Sequence, residues 1–290
     1  RLVVDGVIST PAGDITLAVV NPRDGNDRGF DATQAVTLGA HGALLAPAAL
    51  RKEANALGVR LGEVLNGGQV KLSAQRGYVL AERGSRIDVS GTGAVFDVPN
   101  PRDASHRIAT RVNGVGGDIT LSAAEGMRLN GALFGRQGGR LDIAINPLER
   151  ETAADLTGLP AFPDAPRAIV IGGVAEPDVP RGTPLPAAAH GELRLSPSML
   201  RKGGFAALRL ATRPVLTGTD IDAVRFVGDQ ELSLTQSLIL DTSSLVSDGG
   251  AVHLEAPYVQ LGSSNDLFRR PASAARGSGS LTVDAQLIDL

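Results

Sequence analysis

The sequence contains no cysteine and no tryptophan, and aromatic residues make up only 3% of its 290 residues. Without cysteine, the chain can form neither disulfides nor thiolate metal sites, and it has no cysteine nucleophile. With so few rings, the interior must be assembled from Val, Leu, Ile and Ala, which suits thin, layered cores. No apolar stretch approaches the roughly 20 residues of a membrane helix, and the start, RLVVDGVIST, lacks the features of a signal peptide.

An excess of charge of either sign is also missing. The formal net charge is −3, and the arginines are dispersed along the chain. Nucleic-acid-binding surfaces usually show clustered basic residues, so we do not expect a nucleic acid as partner. Glycine, by contrast, is abundant: 36 glycines and 17 prolines imply many turns and disfavour long helical bundles. The chain also has no initiating methionine, and we interpret it as a segment of a longer polypeptide.

Residues 67–91, GGQVKLSAQRGYVLAERGSRIDVSG, show a pattern that recurs along the chain. Apolar and polar residues alternate in three short runs separated by glycine turns, which is the period of a half-buried β-strand. The side chains predicted to point inward are Val70, Leu72, Ala74, Val79, Ala81, Ile87 and Val89. The same reasoning predicts that Lys71, Arg76 and Arg86 point into water.

Repetition of this unit predicts an all-β solenoid. Similar units begin at Gly116 and Gly249, and glycine pairs at 116–117 and 138–139 lie about 22 residues apart. Repeats of this length without an internal helix are typical of stacked coils, in which each strand pairs with its neighbours above and below. We expect about ten coils and a rod roughly 40 to 50 Å long. A β-sandwich remains the structural alternative, with Asn130-Gly131 as its one hairpin signal between paired runs.

Three insertions interrupt the predicted coil. Residues 31–66 include PAALRKEANALG, and a short helix is predicted from a shared apolar face formed by Leu50, Ala54 and Leu57. Residues 93–115 are polar and punctuated by proline. Residues 146–190 hold eight of the prolines, and their run AIVIGGV is expected to form a strand lying against the coil. Such insertions are where function usually concentrates on a rigid scaffold.

The sequence offers no pattern typical of a catalytic, cofactor or metal site. The four histidines lie singly and match no zinc-binding spacing: His41, His106, His190 and His253. DGND at 24–27 lacks the ligand ladder of a calcium loop and indicates a turn. GSGS at 277–280 lacks the register of a serine elbow. GVGG at 114–117 has no helix after it to hold a phosphate, and we interpret it as the entrance to the next coil.

Paired carboxylates support the main enzymatic alternative. Polysaccharide lyases and hydrolases are often parallel β-helices with acidic residues on one exposed sheet. Asp220 and Asp222 are predicted on the same strand face, about 7 Å apart, while Asp14, Asp118 and Asp142 flank glycine turns. No row of aromatic residues indicates a sugar platform, so we favour solvated turn residues and predict no catalytic residues.

Residues 203–262 carry a family resemblance. They contain a GF-x-x-L-x-L unit, a GD followed by alternating leucines, and GG-x-V-x-L-x-A-P-Y-V-x-L-G. This phrasing resembles the coil region of the filamentous haemagglutinin-like large exoproteins of Gram-negative bacteria, the passengers of two-partner secretion. The GS-x-IDVSG ending of residues 67–91 looks like the same repeat. The likeness covers about 150 residues and is weak across the three insertions.

The resemblance implies a single-stranded, right-handed parallel β-helix in which residues 1–290 are one segment. It also implies secretion to the cell surface through an outer-membrane transporter partner, and a role in adhesion or contact between cells. The expected binding partner is a receptor or glycan on a host or bacterial surface. The family supplies no catalytic residues, and its Asn-Pro-Asn secretion motif is missing, since NPRDG at Asn21 shares only two letters. A polysaccharide-active enzyme and a mechanical spacer that binds nothing remain the alternatives.

Overall fold

A computed structural model of the protein describes residues 1–20, 31–53, 55–146, 165–173, 176–213, 222–264 and 278–290. These residues form an all-β structure of mostly parallel sheets, as the alternation predicts. Its helical elements are α1 (Pro197–Gly203) and a 3-10 turn at Ala187–Ala189. Its strands are β1 (Leu2–Val4), β2 (Val7–Ser9), β3 (Asp14–Val19), β4 (Ala35–Leu38), β5 (Ala43–Leu45), β6 (Ala49–Glu53), β7 (Leu61–Leu65), β8 (Gln69–Ala74), β9 (Tyr78–Ala81), β10 (Arg86–Asp88), β11 (Thr92–Asn100), β12 (Asp103–Gly114), β13 (Asp118–Ala123), β14 (Gly126–Leu129), β15 (Ala132–Phe134), β16 (Arg140–Ile145), β17 (Ala168–Ile171), β18 (Glu192–Leu195), β19 (Ala207–Thr212), β20 (Ala223–Phe226), β21 (Gln230–Ser233), β22 (Ser237–Asp241), β23 (Leu245–Ser247), β24 (Ala251–Glu255), β25 (Tyr258–Leu261), β26 (Ser280–Asp284) and β27 (Leu287–Asp289).

One eight-stranded parallel sheet, which we name the long sheet, runs the length of the described chain. Its strand order is β3-β8-β13-β16-β19-β22-β25-β27. Strict register stacks aliphatic side chains in columns, one of which is Leu17, Leu72, Leu121, Ile143, Leu210, Leu240 and Leu261. At about 4.8 Å per layer, eight layers extend over about 34 Å. In the described residues the long sheet therefore has eight layers, fewer than the expected ten coils.

The other parallel strands form shorter sheets that the chain visits in rotation with the long sheet. Sheet 2 has the order β1-β4-β9-β14 and sheet 3 the order β2-β5-β10-β15. From β1 to β16, each circuit goes from sheet 2 to sheet 3 and then to the long sheet. The sheets β18-β17-β20-β23 and β21-β24-β26 continue the rotation after residue 165. This arrangement is compatible with a parallel β-helix and differs from the antiparallel packing of a sandwich.

The interior is one aliphatic cluster. All seven side chains predicted to point inward from residues 67–91 are no more than 2% exposed, which confirms the alternation. Each buried aliphatic side chain contributes on the order of 2 kcal/mol before conformational entropy is subtracted. Lys71 and Arg86 are exposed, as predicted. The prediction for Arg76 is wrong: it is only 8% exposed. It lies in the turn after β8, where the two-residue period of a strand no longer sets side-chain direction.

Residues 49–53 and 61–65 form a hairpin, and the short helix predicted in this part of the chain is wrong. Strands β6 and β7 pair antiparallel. The Asn55 side chain shapes the connection, because its Oδ1 accepts hydrogen bonds from the backbone N–H groups of Leu57 and Val59, each at 3.1 Å. Asparagine closing a turn outcompetes the weak helical face. Leu50 and Leu57 are exposed, and Ala54 lies outside the described residues.

The other two predicted insertions also contain strands. Residues 92–114 form a second antiparallel hairpin, β11–β12, which contacts the first through Arg60 and Asp97. The Arg60 backbone N–H donates to the Asp97 carboxylate at 2.8 Å, and the guanidinium pairs with it at 2.6 Å. The strand predicted in the run AIVIGGV is confirmed over Ala168–Ile171, which form β17. This strand is paired within a parallel sheet, between β18 and β20, instead of lying against the stack.

Glycines at the entrance to successive layers of the long sheet allow close stacking. A Cβ on Gly117 would lie 1.8 Å from the carbonyl oxygen of Gly68, and one on Gly68 would lie 1.9 Å from that of Gly13. We therefore expect Gly117→Ala to lower the free energy of unfolding by about 1 to 3 kcal/mol in urea melts. Gly6→Ala is the control, because a Cβ there meets nothing within 4 Å. Equal stability of the two variants would contradict this stacking.

Candidate functional site

The outer face of sheet 2 is covered by residues 176–191, which we name the covering segment. Arg181 in this segment pairs with Asp5 at 3.0 Å and with Glu82 at 2.9 Å. Leu185 packs with Tyr78 and Ala35, which point outward from the sheet. The Tyr78 hydroxyl hydrogen-bonds His190 at 3.1 Å, and burial raises the pKa of Tyr78. The covering segment therefore turns one outer face of the stack into a second, smaller core.

A buried ion pair lies next to the covering segment. The Arg167 guanidinium contacts the Glu125 carboxylate at 3.0 Å, and their side chains are only 2% and 4% exposed. Arg167 Nε also donates to the carbonyl oxygen of Ala124 at 2.8 Å. The Gly191 backbone N–H donates to the carbonyl oxygen of Glu125 at 2.8 Å. These contacts tie the sheet that contains β17 to the end of β13 in the long sheet.

A short helix interrupts the stack of strands that begins with sheet 3. The helix α1 has Pro197 in its first turn and ends at Gly204, whose φ of 66° suits a helix C-terminus. It contacts β15 on one side and β21 on the other. The Gly135 backbone N–H donates to the carbonyl oxygen of Gly203 at 2.9 Å. Because α1 stands where a strand would continue the stack, a concave surface is left beside it.

This concave surface is a groove of about 830 Å³, the candidate functional site. It lies between α1, β15, the turn before β10 and the residues Gly172, Gly173 and Glu176. A volume of this size is typical of small-molecule sites. Its charged lining residues are Arg83, Arg86, Arg128, Arg194, Lys202 and Glu176. Five cations and one carboxylate make the groove positive, although the whole chain carries a net charge of −3.

Three of the five cations are compensated by carboxylates. Glu176 pairs with Arg128 and also with Arg194, the latter at 2.9 Å. Arg128 is only 5% exposed, and its burial lowers the pKa of the guanidinium. Arg86 pairs with Asp88, which lies outside the groove lining.

Arg83 and Lys202 are the two groove cations whose side chains form no ion pair with a carboxylate in the described part of the chain. Both are exposed. The Arg83 backbone N–H donates a hydrogen bond to the Asp178 carboxylate at 3.2 Å. This bond fixes the turn that carries the Arg83 side chain. The groove therefore presents two available positive charges.

Phe134 gives the groove an aromatic component. Its ring lies under the guanidinium of Arg86 at 5.0 Å and under that of Arg136 at 4.6 Å, measured to the ring centre. Such cation–π contacts hold the arginines against the wall. Met199 and the hydroxyls of Ser196 and Ser198, 2.8 Å apart, complete the side formed by α1. The lining can therefore contact both apolar and anionic groups of a ligand.

The prediction for Asp222 is wrong, because it is only 1% exposed. It directly precedes β20, and its Oδ2 accepts hydrogen bonds from Thr212 Oγ1 at 2.8 Å and from the Ser243 backbone N–H at 3.2 Å. The carboxylate thus links neighbouring turns inside the stack and does not face a cleft. Asp220 lies outside the described residues.

The other aspartates lie on the long sheet without forming a carboxylate pair. Asp14 and Asp118 both align with Gln69, so they are two layers, or about 10 Å, apart. Asp142 pairs with Arg209 at 3.2 Å, and Arg209 also pairs with Asp241 at 2.5 Å. Arg209 therefore neutralises carboxylates on the two strands next to its own.

Each of the four histidines has a partner of its own. His41 lies near Asp5, His106 near Asp103 and His253 near Asp284, while His190 contacts Tyr78. Within the described ranges, no three His, Cys, Asp or Glu side chains are grouped to hold a metal ion. GVGG leads directly into β13, as predicted. DGND at 24–27 and Gly277 lie outside the described residues.

Sequence reasoning missed the groove, because its cations come from positions between 83 and 202 and form no run along the chain. A search of the described residues finds no helix with the length and apolar character needed to cross a membrane. No family model, curated protein or solved structure matches the chain. The functional interpretation therefore depends on the fold and on the groove.

Proposed function

We propose that this chain is a non-enzymatic, structural and adhesive segment of a secreted filamentous haemagglutinin-like adhesin on the surface of a Gram-negative bacterium. The observation that supports it is the unbroken register of the long sheet from β3 to β27. Such a stack grows by adding layers and keeps the same cross-section, which suits a filament that presents side chains at a distance from a cell.

In this proposal, the sheets form a single-stranded, right-handed parallel β-helix with insertions. Crossover connections between parallel strands of one sheet are right-handed in about 98% of cases, which supports the handedness. The absence of cysteine is compatible with a chain that crosses the outer membrane unfolded, through a transporter partner. The adhesive partner is a receptor or glycan on a host or bacterial cell.

An enzyme acting on polysaccharides and a mechanical spacer are the competing functions. The burial of Asp222 counts against the first, since a catalytic carboxylate must reach its substrate. Incubation with a panel of acidic glycans separates an enzyme from an adhesin. Depolymerisation by the wild-type protein, absent in Asp222→Asn, would favour the enzyme.

Attachment of coated beads tests adhesion against the spacer. We expect beads carrying the wild-type protein to attach to epithelial or bacterial cells several-fold more than albumin-coated beads. Beads carrying the folded Lys71→Gln variant, altered on the long sheet, serve as the matched control and should attach like wild type. If wild-type beads attach no better than albumin beads, the chain is a spacer.

A further inference from the structure

We propose that the groove beside α1 binds a phosphate monoester group, with Arg83 and Lys202 as its main charged ligands. Both side chains line the groove, and neither has a carboxylate partner in the described residues. Glu176 and Asp88 neutralise the neighbouring arginines. The positive charge that no carboxylate neutralises is therefore concentrated on Arg83 and Lys202. This site is additional to the proposed adhesive role and does not depend on it.

The positions of the two cations allow them to act on one group. Arg83 lies in the turn before β10, and Lys202 lies in α1, with the layer of β15 between them. Because both residues line the same groove, their long, flexible stems can reach a ligand bound in it. Ser196 and Ser198, on the same wall, offer hydroxyl donors.

Charge favours phosphate over other common anions. Two cations, Arg83 and Lys202, are best neutralised by a single group that carries two negative charges. A phosphate monoester carries about −1.5 to −2 charges at pH 7 and has three acceptor oxygens, whereas a carboxylate or a sulfate ester carries one. Guanidinium groups match phosphate geometry through paired N–H donors, and lysine binds phosphate as a point charge.

The size of the groove indicates that the carrier of the phosphate also enters. A volume of about 830 Å³ is many times that of a bare phosphate ion. Phe134 and Met199 provide apolar surface next to the cations. A sugar phosphate in solution and the headgroup of a phosphomonoester lipid both present this chemistry.

Titration calorimetry with a hexose 6-phosphate tests the site on the whole chain. We expect binding that weakens at least tenfold in the double variant Arg83→Gln/Lys202→Gln. The matched control, Lys71→Gln/Arg102→Gln, removes the same charge from exposed positions outside the groove and should bind like wild type. A hexose 6-sulfate should bind at least tenfold more weakly than the phosphate. Circular dichroism confirms that each variant is folded.

Vesicles distinguish the two sources of the group. Phosphatidylcholine vesicles containing phosphatidic acid, whose headgroup is a phosphate monoester, are compared with vesicles containing phosphatidylglycerol, a diester. Binding of the hexose phosphate indicates a soluble ligand, and binding of phosphatidic acid vesicles alone indicates a lipid; either result, lost in the Arg83→Gln/Lys202→Gln variant, supports the site. The proposal is overturned if neither probe binds, if sulfate binds as tightly as phosphate, or if both double variants behave alike.

Discussion

Leu72→Asp is expected to lower the free energy of unfolding by more than about 4 kcal/mol, whereas Lys71→Asp should change it by less than about 1 kcal/mol. The two residues are neighbours on β8 and point to opposite faces of the long sheet. Leu72 is 0% exposed in a column between Leu17 and Leu121. A carboxylate there loses its water and gains no cation, while the same group at position 71 remains hydrated.

Urea denaturation of the two variants provides the measurement, with the transition midpoint and slope recorded for each. Leu72→Asp is expected to be unfolded, or to unfold at a much lower urea concentration, at neutral pH. Lys71 is the appropriate control because the strand, the layer and the introduced charge are the same. Similar losses at positions 71 and 72 would contradict the assignment of Leu72 to the inner face and Lys71 to the outer face of the sheet.

The strands of the parallel sheets could be predicted from the sequence because stacking imposes a local pattern. In a half-buried strand, burial alternates with every residue, so Val70 and Leu72 are recognisable from their neighbours alone. The parallel pairing also follows, since short strands with few hairpin signals need partners far along the chain. Hence the class of fold depends on information that is close in sequence.

The features that were mispredicted depend on contacts between distant residues. Arg76 and Asp222 are polar residues in turns, where polarity normally indicates solvent, yet neighbouring layers bury both. The hairpin at 49–65 is stabilised by a second hairpin through Arg60 and Asp97, which no local pattern reveals. Propensity within one segment cannot anticipate such tertiary contacts.

The groove was unpredictable for a related reason. Its cations come from four separate segments, and the cavity exists only because α1 stands in the place of a strand. The signal for α1 was present, since Ser196 and Pro197 before an apolar pair are typical of a helix start. Recognising that this helix interrupts a stack requires knowing which strands lie on either side of it.

Arg167→Met is expected to lower the free energy of unfolding by about 3 to 5 kcal/mol, although it removes a charged residue from an apolar interior. Arg167 and Glu125 are both almost fully buried, so the loss of the guanidinium leaves a carboxylate without its cation. The donor to the Ala124 carbonyl oxygen is lost as well. By contrast, Arg51→Met, which breaks an exposed pair with Glu63, should cost less than about 1 kcal/mol.

The double variant Arg167→Met/Glu125→Leu tests whether the cost comes from the isolated charge. We expect it to regain at least about 2 kcal/mol relative to Arg167→Met, because an apolar pair needs no compensation. Urea melts at neutral pH measure this difference. If the double variant is less stable than Arg167→Met, the guanidinium contributes chiefly through its backbone hydrogen bonds, and the ion pair is not what joins the two sheets.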